Sequence, residues 1–147
     1  MSNEEFFALH QVARKDPRLL TEEQKRAFVQ EGEARKAHFE RSLAGRKIDF
    51  SNLNATEVNC NFFALGELPA DIRKFTRLTV LHCVDNGLTE LPAALGELTH
   101  LRELYCGSNQ LTALPAEMAK LTQLRELWCG ENQLTRLPAW VGQLTNL

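Results

Sequence analysis

Hydrophobic positions in the second half of the chain fall into one register that repeats every 23 residues. The unit aligns without gaps from Leu78, Leu101 and Leu124, and a less regular copy starts at Ala55. In the unit LRELYCGSNQLTALPAEMAKLTQ the apolar positions are Leu101, Leu104, Cys106, Leu111, Leu114, Met118 and Leu121. The first third alternates, with Leu104 in, Tyr105 out and Cys106 in, which predicts a short strand with one buried face. Asn109 then turns the chain. From Leu114-Pro115 to Leu121 the apolar groups recur at helical spacing, predicting a helical or 3₁₀ return packed on the back of the strand. Each copy is a strand, a turn and a short return, and copies of one such unit stack into a solenoid.

The first part of the chain follows another pattern. Residues 4–14 and 21–43 are predicted helices: Thr21 and Gln24 form a capping box, Pro17 separates the two, and Gly45 closes the second. Their apolar residues, Phe6, Phe7, Leu9, Val12, Leu19, Leu20, Phe28, Phe39 and Leu43, are sparse, which suits a thin cap better than an independent core. Residues 1–47 are therefore expected to be a helical N-terminal cap, and 48–147 the repeats. Ile48-Asp49-Phe50 alternates and is expected to add a strand at the start of the sheet.

No matching cap follows the last copy, so Asn132, Leu134, Leu137, Val141 and Leu144 are expected to lie uncovered. Either the protein continues past Leu147 or another molecule covers that edge. Trp140 stands where earlier copies have Asp71, Ala94 and Glu117, which predicts an exposed aromatic. An edge formed by Trp140, Leu144 and Leu147 is then a surface through which two copies would dimerise.

Composition excludes several classes. With 44% hydrophobic residues the chain is a folded globular protein, and its net charge of −2 divides without a dense basic field, which argues against nucleic acid as a partner. The apolar patch Phe6-Phe7-Ala8-Leu9 is too short for a signal peptide or a membrane span, so a cytoplasmic location and no membrane partner are expected.

Cys60, Cys83, Cys106 and Cys129 are 23 residues apart and are the only cysteines present. Stacked on adjacent strands, their sulfurs form a line about 14 Å long, whereas tetrahedral zinc needs all four within about 2.3 Å of one point. They share the side of Leu104 and are expected to act as small core hydrophobes, with no metal and no cofactor. His82 and Cys83 are neighbours on a strand and diverge to opposite faces, which removes a nucleophile and base pair. No phosphate-cradling loop, nucleophile elbow or HExxH motif occurs, so the chain itself is expected not to be an enzyme.

The recurring string LxxLxCxxNxLTxLPxxLxxLTx over residues 55–147 resembles the leucine-rich repeat, most of all its 23-residue intracellular LTxLP class. The resemblance implies an α/β fold: a short right-handed solenoid with a parallel sheet on its concave face, capped at the N-terminus by α-helices. Two positions depart from the family. Cysteine stands where leucine is usual, and Phe63 replaces the turn asparagine of Asn86, Asn109 and Asn132, so the first copy is expected to lack that rung and to pack Phe63 on what precedes it.

Residues flanking the buried Leu and Cys are expected to project from the sheet in columns about 4.8 Å apart. The central column is Asn59, His82, Tyr105 and Trp128; beside it run Glu57, Val80, Glu103 and Glu126, outside that Thr56, Thr79, Arg102 and Arg125, and past the cysteine Phe62, Asp85, Ser108 and Glu131. Aromatic rings framed by charge resemble a protein-binding hot spot. The family resemblance implies a non-catalytic module that binds a protein or peptide on this face, and the excess of acids points to a basic or mixed-charge segment. The plainer alternative is that Arg102 and Arg125 merely pair with Glu103 and Glu126. A further reading makes the chain the recognition or regulatory arm of a longer enzyme, a kinase or ubiquitin ligase, with its catalytic domain beyond Leu147.

Overall fold

The computed structural model describes residues 2, 4, 5, 8 and 20–147. The chain divides into two units, Met1–Ser42 and Leu43–Leu147.

In the first unit a helix runs from Glu22 to Leu43. Thr21 and Gln24 form the expected capping box: the Thr21 N–H donates to Gln24 Oε1 at 2.9 Å, and the Gln24 N–H to Thr21 Oγ1 at 3.1 Å. Glu31 and Arg35 pair at 3.0 Å one turn apart. The predicted helix 4–14 lies mostly outside the described residues. At its start a second box closes, with the Ser2 N–H donating to Glu5 Oε2 at 2.7 Å and the Glu5 N–H to Ser2 Oγ at 3.1 Å. Phe6, Phe7, Leu9, Val12 and Leu19 also fall outside the described residues, as do the side chains of Phe28 and Phe39.

The second unit is a run of short parallel strands, β1 (Glu57–Asn59), β2 (Val80–His82), β3 (Glu103–Tyr105) and β4 (Glu126–Trp128), in sequence order across one sheet. Glu57 pairs with Val80, Val80 with Glu103, and Glu103 with Glu126, so the sequence period is also the strand register. The returns are 3₁₀ helices, at Ala70–Lys74, Ala93–Glu97, Ala116–Lys120 and Ala139–Gln143. Each follows a proline with φ near −65°, which is preset for the first position of a turn. The core lies between sheet and returns. Leu101, Leu104, Cys106, Leu111, Met118 and Leu121 are fully buried, as their spacing predicts, and Leu114 is nearly so.

Asparagine holds successive turns together. Asn109 Nδ2 donates to the carbonyls of Cys83, Cys106 and Gly107 at 3.0–3.1 Å, while its Oδ1 accepts from the N–H groups of Asn86 and Leu88. Asn86 and Asn132 repeat the pattern. A buried amide of this kind satisfies backbone groups that would otherwise be orphaned on desolvation. Phe63 cannot supply that rung. It packs against the core, and its carbonyl accepts the Gly45 N–H at 2.7 Å just where the chain leaves the helix with φ +84° at Gly45.

Two expectations are corrected. Ile48-Asp49-Phe50 does not join the sheet, which among the described residues begins at Glu57. The side chains still point as alternation demands: Ile48 is buried, Asp49 is exposed, and Phe50 stacks on Phe75 at 5.2 Å, so the segment covers the core with side chains rather than with a ladder. Trp140 and Leu144 are not exposed apolar groups. Trp140 is half-buried against the core and Leu144 is only 4% exposed, because the 3₁₀ return folds Leu144 inward just as it does Leu121. Apart from Trp128 on the sheet, the large apolar groups left exposed at this end are Leu137 and Leu147.

Candidate functional site

Alternation on three-residue strands sends one residue of each inward and two outward. Leu81 and Leu104 are fully buried, with Val58 and Leu127 partly so, which turns Asn59, His82, Tyr105 and Trp128 outward in register. The His82 and Tyr105 rings stack with centroids 4.7 Å apart and planes within 5°. That separation is the strand spacing itself. His82 Nε2 lies 3.3 Å from Glu57 Oε1, one strand earlier. Trp128 ends the column and is 67% exposed.

The adjacent column does not behave as simple ion pairing predicts. Glu103 and Glu126 face each other across β3 and β4, and like charges in that position repel. The Tyr105 hydroxyl sits between them, 2.9 Å from Glu103 Oε2 and 2.7 Å from Glu126 Oε2. The two carboxylates, Glu126 first, hold the phenol well above its ordinary ionisation range. Arg102 and Arg125 are exposed, and among the described residues no ion pair joins them to Glu103 or Glu126. The neutral phenol has one proton, so it donates to one of the two carboxylates at a time.

The column past the cysteine is displaced by the backbone. Phe62, Asp85, Ser108 and Glu131 all adopt φ between 51° and 63°, the left-handed region that costs a non-glycine residue about 1–2 kcal/mol. Asp85 and Glu131 are exposed in turns rather than on strands, and Ser108 Oγ donates to Glu131 Oε2 at 2.6 Å. The outward position directly after each cysteine belongs instead to Asn61, Val84, Gly107 and Gly130, a column that reading by pairs of residues skipped. Gly130, where a Cβ would meet nothing within 4 Å, and Gly107, where one would lie 3.2 Å from the Gly130 carbonyl oxygen, border a hollow against Trp128, lined also by Val84, Leu127 and Glu131. Two glycines in one column, next to an aromatic, are the signal in the sequence that could have found it.

Behind the sheet the cysteines are core. Cys60, Cys83 and Cys106 are fully buried and Cys129 half-buried. Burial pushes the thiols of Cys60 and Cys106 up to about 12 and that of Cys83 well above its ordinary value. Cys60 Sγ donates to the His82 carbonyl at 3.1 Å. A thiol held protonated in this way is a poor nucleophile and a poor metal ligand. Cys83 and His82 do point apart, one buried and one on the outer face.

A family model described as "Leucine-rich repeat region" matches residues 59–147. A leucine-rich repeat protein of Leptospira interrogans aligns at 40% identity with a TM-score of 0.53, over 54% of this chain and 20% of its own. The leucine-rich repeat domain of the type III effector XopL aligns over 93% of this chain and 42% of its own, at 25% identity and a TM-score of 0.54. The functional domain of InlJ from Listeria monocytogenes, which includes a cysteine ladder, aligns at 29% identity and a TM-score of 0.50, over 69% of this chain and 26% of its own. The chain thus spans between 20% and 42% of the length of these solved proteins. No curated protein matches it. With its strands in 23-residue register, its asparagine rungs, its 3₁₀ returns and a family match over more than half its length, the chain belongs to the leucine-rich repeat family.

Proposed function

We propose that this chain is a non-catalytic module that binds a protein or peptide on the outer face of its sheet, with Tyr105 and Trp128 at the centre. The observation that carries the reading is the column itself: His82 and Tyr105 are stacked, and Trp128 at its end is 67% exposed. An indole held on a strand loses little side-chain freedom on binding, and that economy makes tryptophan a common anchor of interfaces. The charge on the face supports a basic or mixed partner segment. Glu57, Glu103, Glu126, Asp85 and Glu131 outnumber Arg102 and Arg125, and the Tyr105 hydroxyl lies between two of the acids. The buried column of reduced thiols suits a reducing compartment such as the cytoplasm.

The test is a selection of random displayed peptides on the wild-type chain, followed by measurement of the enriched binders on the double variant Tyr105→Ala, Trp128→Ala. The double variant is expected to keep its circular dichroism spectrum and lose binding by about a hundredfold or more, the range of a two-residue hot spot. Binders that hold the double variant as tightly as the wild type would place the contact surface elsewhere.

A further inference from the structure

The hollow beside Trp128 has a specific chemistry. Its floor is the backbone of Gly107 and Gly130, Val84 and the exposed indole of Trp128 stand beside it, and its one charged lining group is Glu131. Among the described residues the Glu131 carboxylate takes a single hydrogen bond, from Ser108 Oγ to Oε2 at 2.6 Å. A carboxylate has about four acceptor sites, so capacity remains on it. Among the described residues no lysine, arginine or histidine lies within ion-pair distance of it. Asp85, two places along the same turn column, adds negative charge on the side of Ser108 away from Glu131.

Apolar walls, an exposed indole face and one anion at the rim fit a side chain with an apolar stem and a flat cationic head. We infer that this hollow receives an arginine side chain from an extended segment of the partner protein, an assignment that rests on reading the sheet face as a protein-binding surface. The methylene stem lies along Val84 and the glycine floor, the guanidinium stacks over the indole, and its N–H groups donate to the Glu131 carboxylate. The planar, weakly hydrated guanidinium satisfies the ring and the carboxylate together, which a compact ammonium does less well.

The experiment uses a fluorescein-labelled peptide alternating glycine and arginine, and the same peptide with citrulline at each arginine, which keeps the shape and removes the charge. Binding is followed by fluorescence anisotropy and by the indole N–H resonance of Trp128, assigned through its loss in Trp128→Phe. The arginine peptide is expected to bind at least about tenfold more tightly than the citrulline peptide and to move the Trp128 resonance. Gly130→Leu is chosen to fill the hollow, since a Cβ there meets no atom within 4 Å. It is expected to abolish the resonance shift at unchanged circular dichroism, and Glu131→Gln to weaken binding by about fivefold. Equal affinity for the two peptides, or indifference to Gly130→Leu, overturns the assignment. Random-selection binders that need Tyr105 and Trp128 but carry no arginine also overturn it while leaving the binding face intact; binders that ignore both aromatics overturn the face reading itself.

Discussion

The repeat beginning at Leu101 and the one beginning at Leu124 share 15 of 23 residues and have very different interiors. Leu104, Cys106 and Leu111 are fully buried, whereas Leu127, Cys129 and Leu134 are only partly so. Leu114 is 6% exposed and its counterpart Leu137 is 56%. The difference lies in the neighbours: the first of the two has a repeat on each side, and in this structure the second is flanked on one. A leucine-rich repeat does not bury its own core. It is buried by the next copy, which is why stability in a solenoid is a property of interfaces more than of units.

Paired substitutions break or sharpen this comparison. Leu104→Ala is expected to destabilise by about 3–4 kcal/mol and Leu127→Ala by about 1–2, because only the first leaves a closed cavity. Urea unfolding of the two variants measures the gap, and equal losses would mean that both repeats are equally closed. Next come the rungs. Asn109→Ala strands the N–H groups of Asn86 and Leu88 in a buried setting and is expected to cost about 2–4 kcal/mol, with Asn132→Ala costing less on the same assay.

The glycines of the returns make a third pair. A Cβ on Gly96 would collide with the Glu117 backbone, whereas Gly142 has nothing within 4 Å. Gly96→Ala is therefore expected to lose about 1–3 kcal/mol and Gly142→Ala to lie near zero, read from melting temperatures. The thiols give a fourth. Cys60 and Cys106 ionise near 12 in the fold against an ordinary 9.0. Their protonated form is the native one, so their contribution is complete below about pH 9 and declines as pH rises toward 12, by about 1.4 kcal/mol per unit and thiol. Cys106→Ala is expected to flatten that decline between pH 9 and 11 more than Cys129→Ala does. A thiol reagent at neutral pH is expected to modify Cys129 before the other three. A small effect is also expected at Trp128→Ala, within about 0.5 kcal/mol in stability, since the indole is mostly in water.

What could be read without coordinates follows the same division. The buried set from Leu101 to Leu121 was legible, since a strict period repeated through several copies leaves one consistent assignment of faces. So was the outward column Asn59, His82, Tyr105 and Trp128, which depends only on alternation. The column past the cysteine was misplaced by one residue, since alternation from the inward cysteine already puts the next residue outward. Positive φ at Ser108 and Glu131 rotates the turn, and Gly107 and Gly130 take the outward place that had been given to their neighbours. Trp140 was misread because counterparts of other residue types stood in for its environment. A large ring on a 3₁₀ return can lie back on the core, as the half-buried indole does. The Tyr105 bridge between two glutamates depends on side-chain torsions that no periodicity encodes.

The asparagine rung has a consequence for how such a protein changes length. Each amide takes its partners from its own turn and from the turn before, so a whole unit inserted between two others meets the same donors and acceptors on both sides. Stability would then tolerate extension while the binding face would not stay the same. One added unit between β3 and β4 would carry Trp128 about 4.8 Å further from the His82 and Tyr105 stack. Copy number is therefore a ruler for the spacing of anchors, adjustable in steps of one strand without redesigning a single contact in the core.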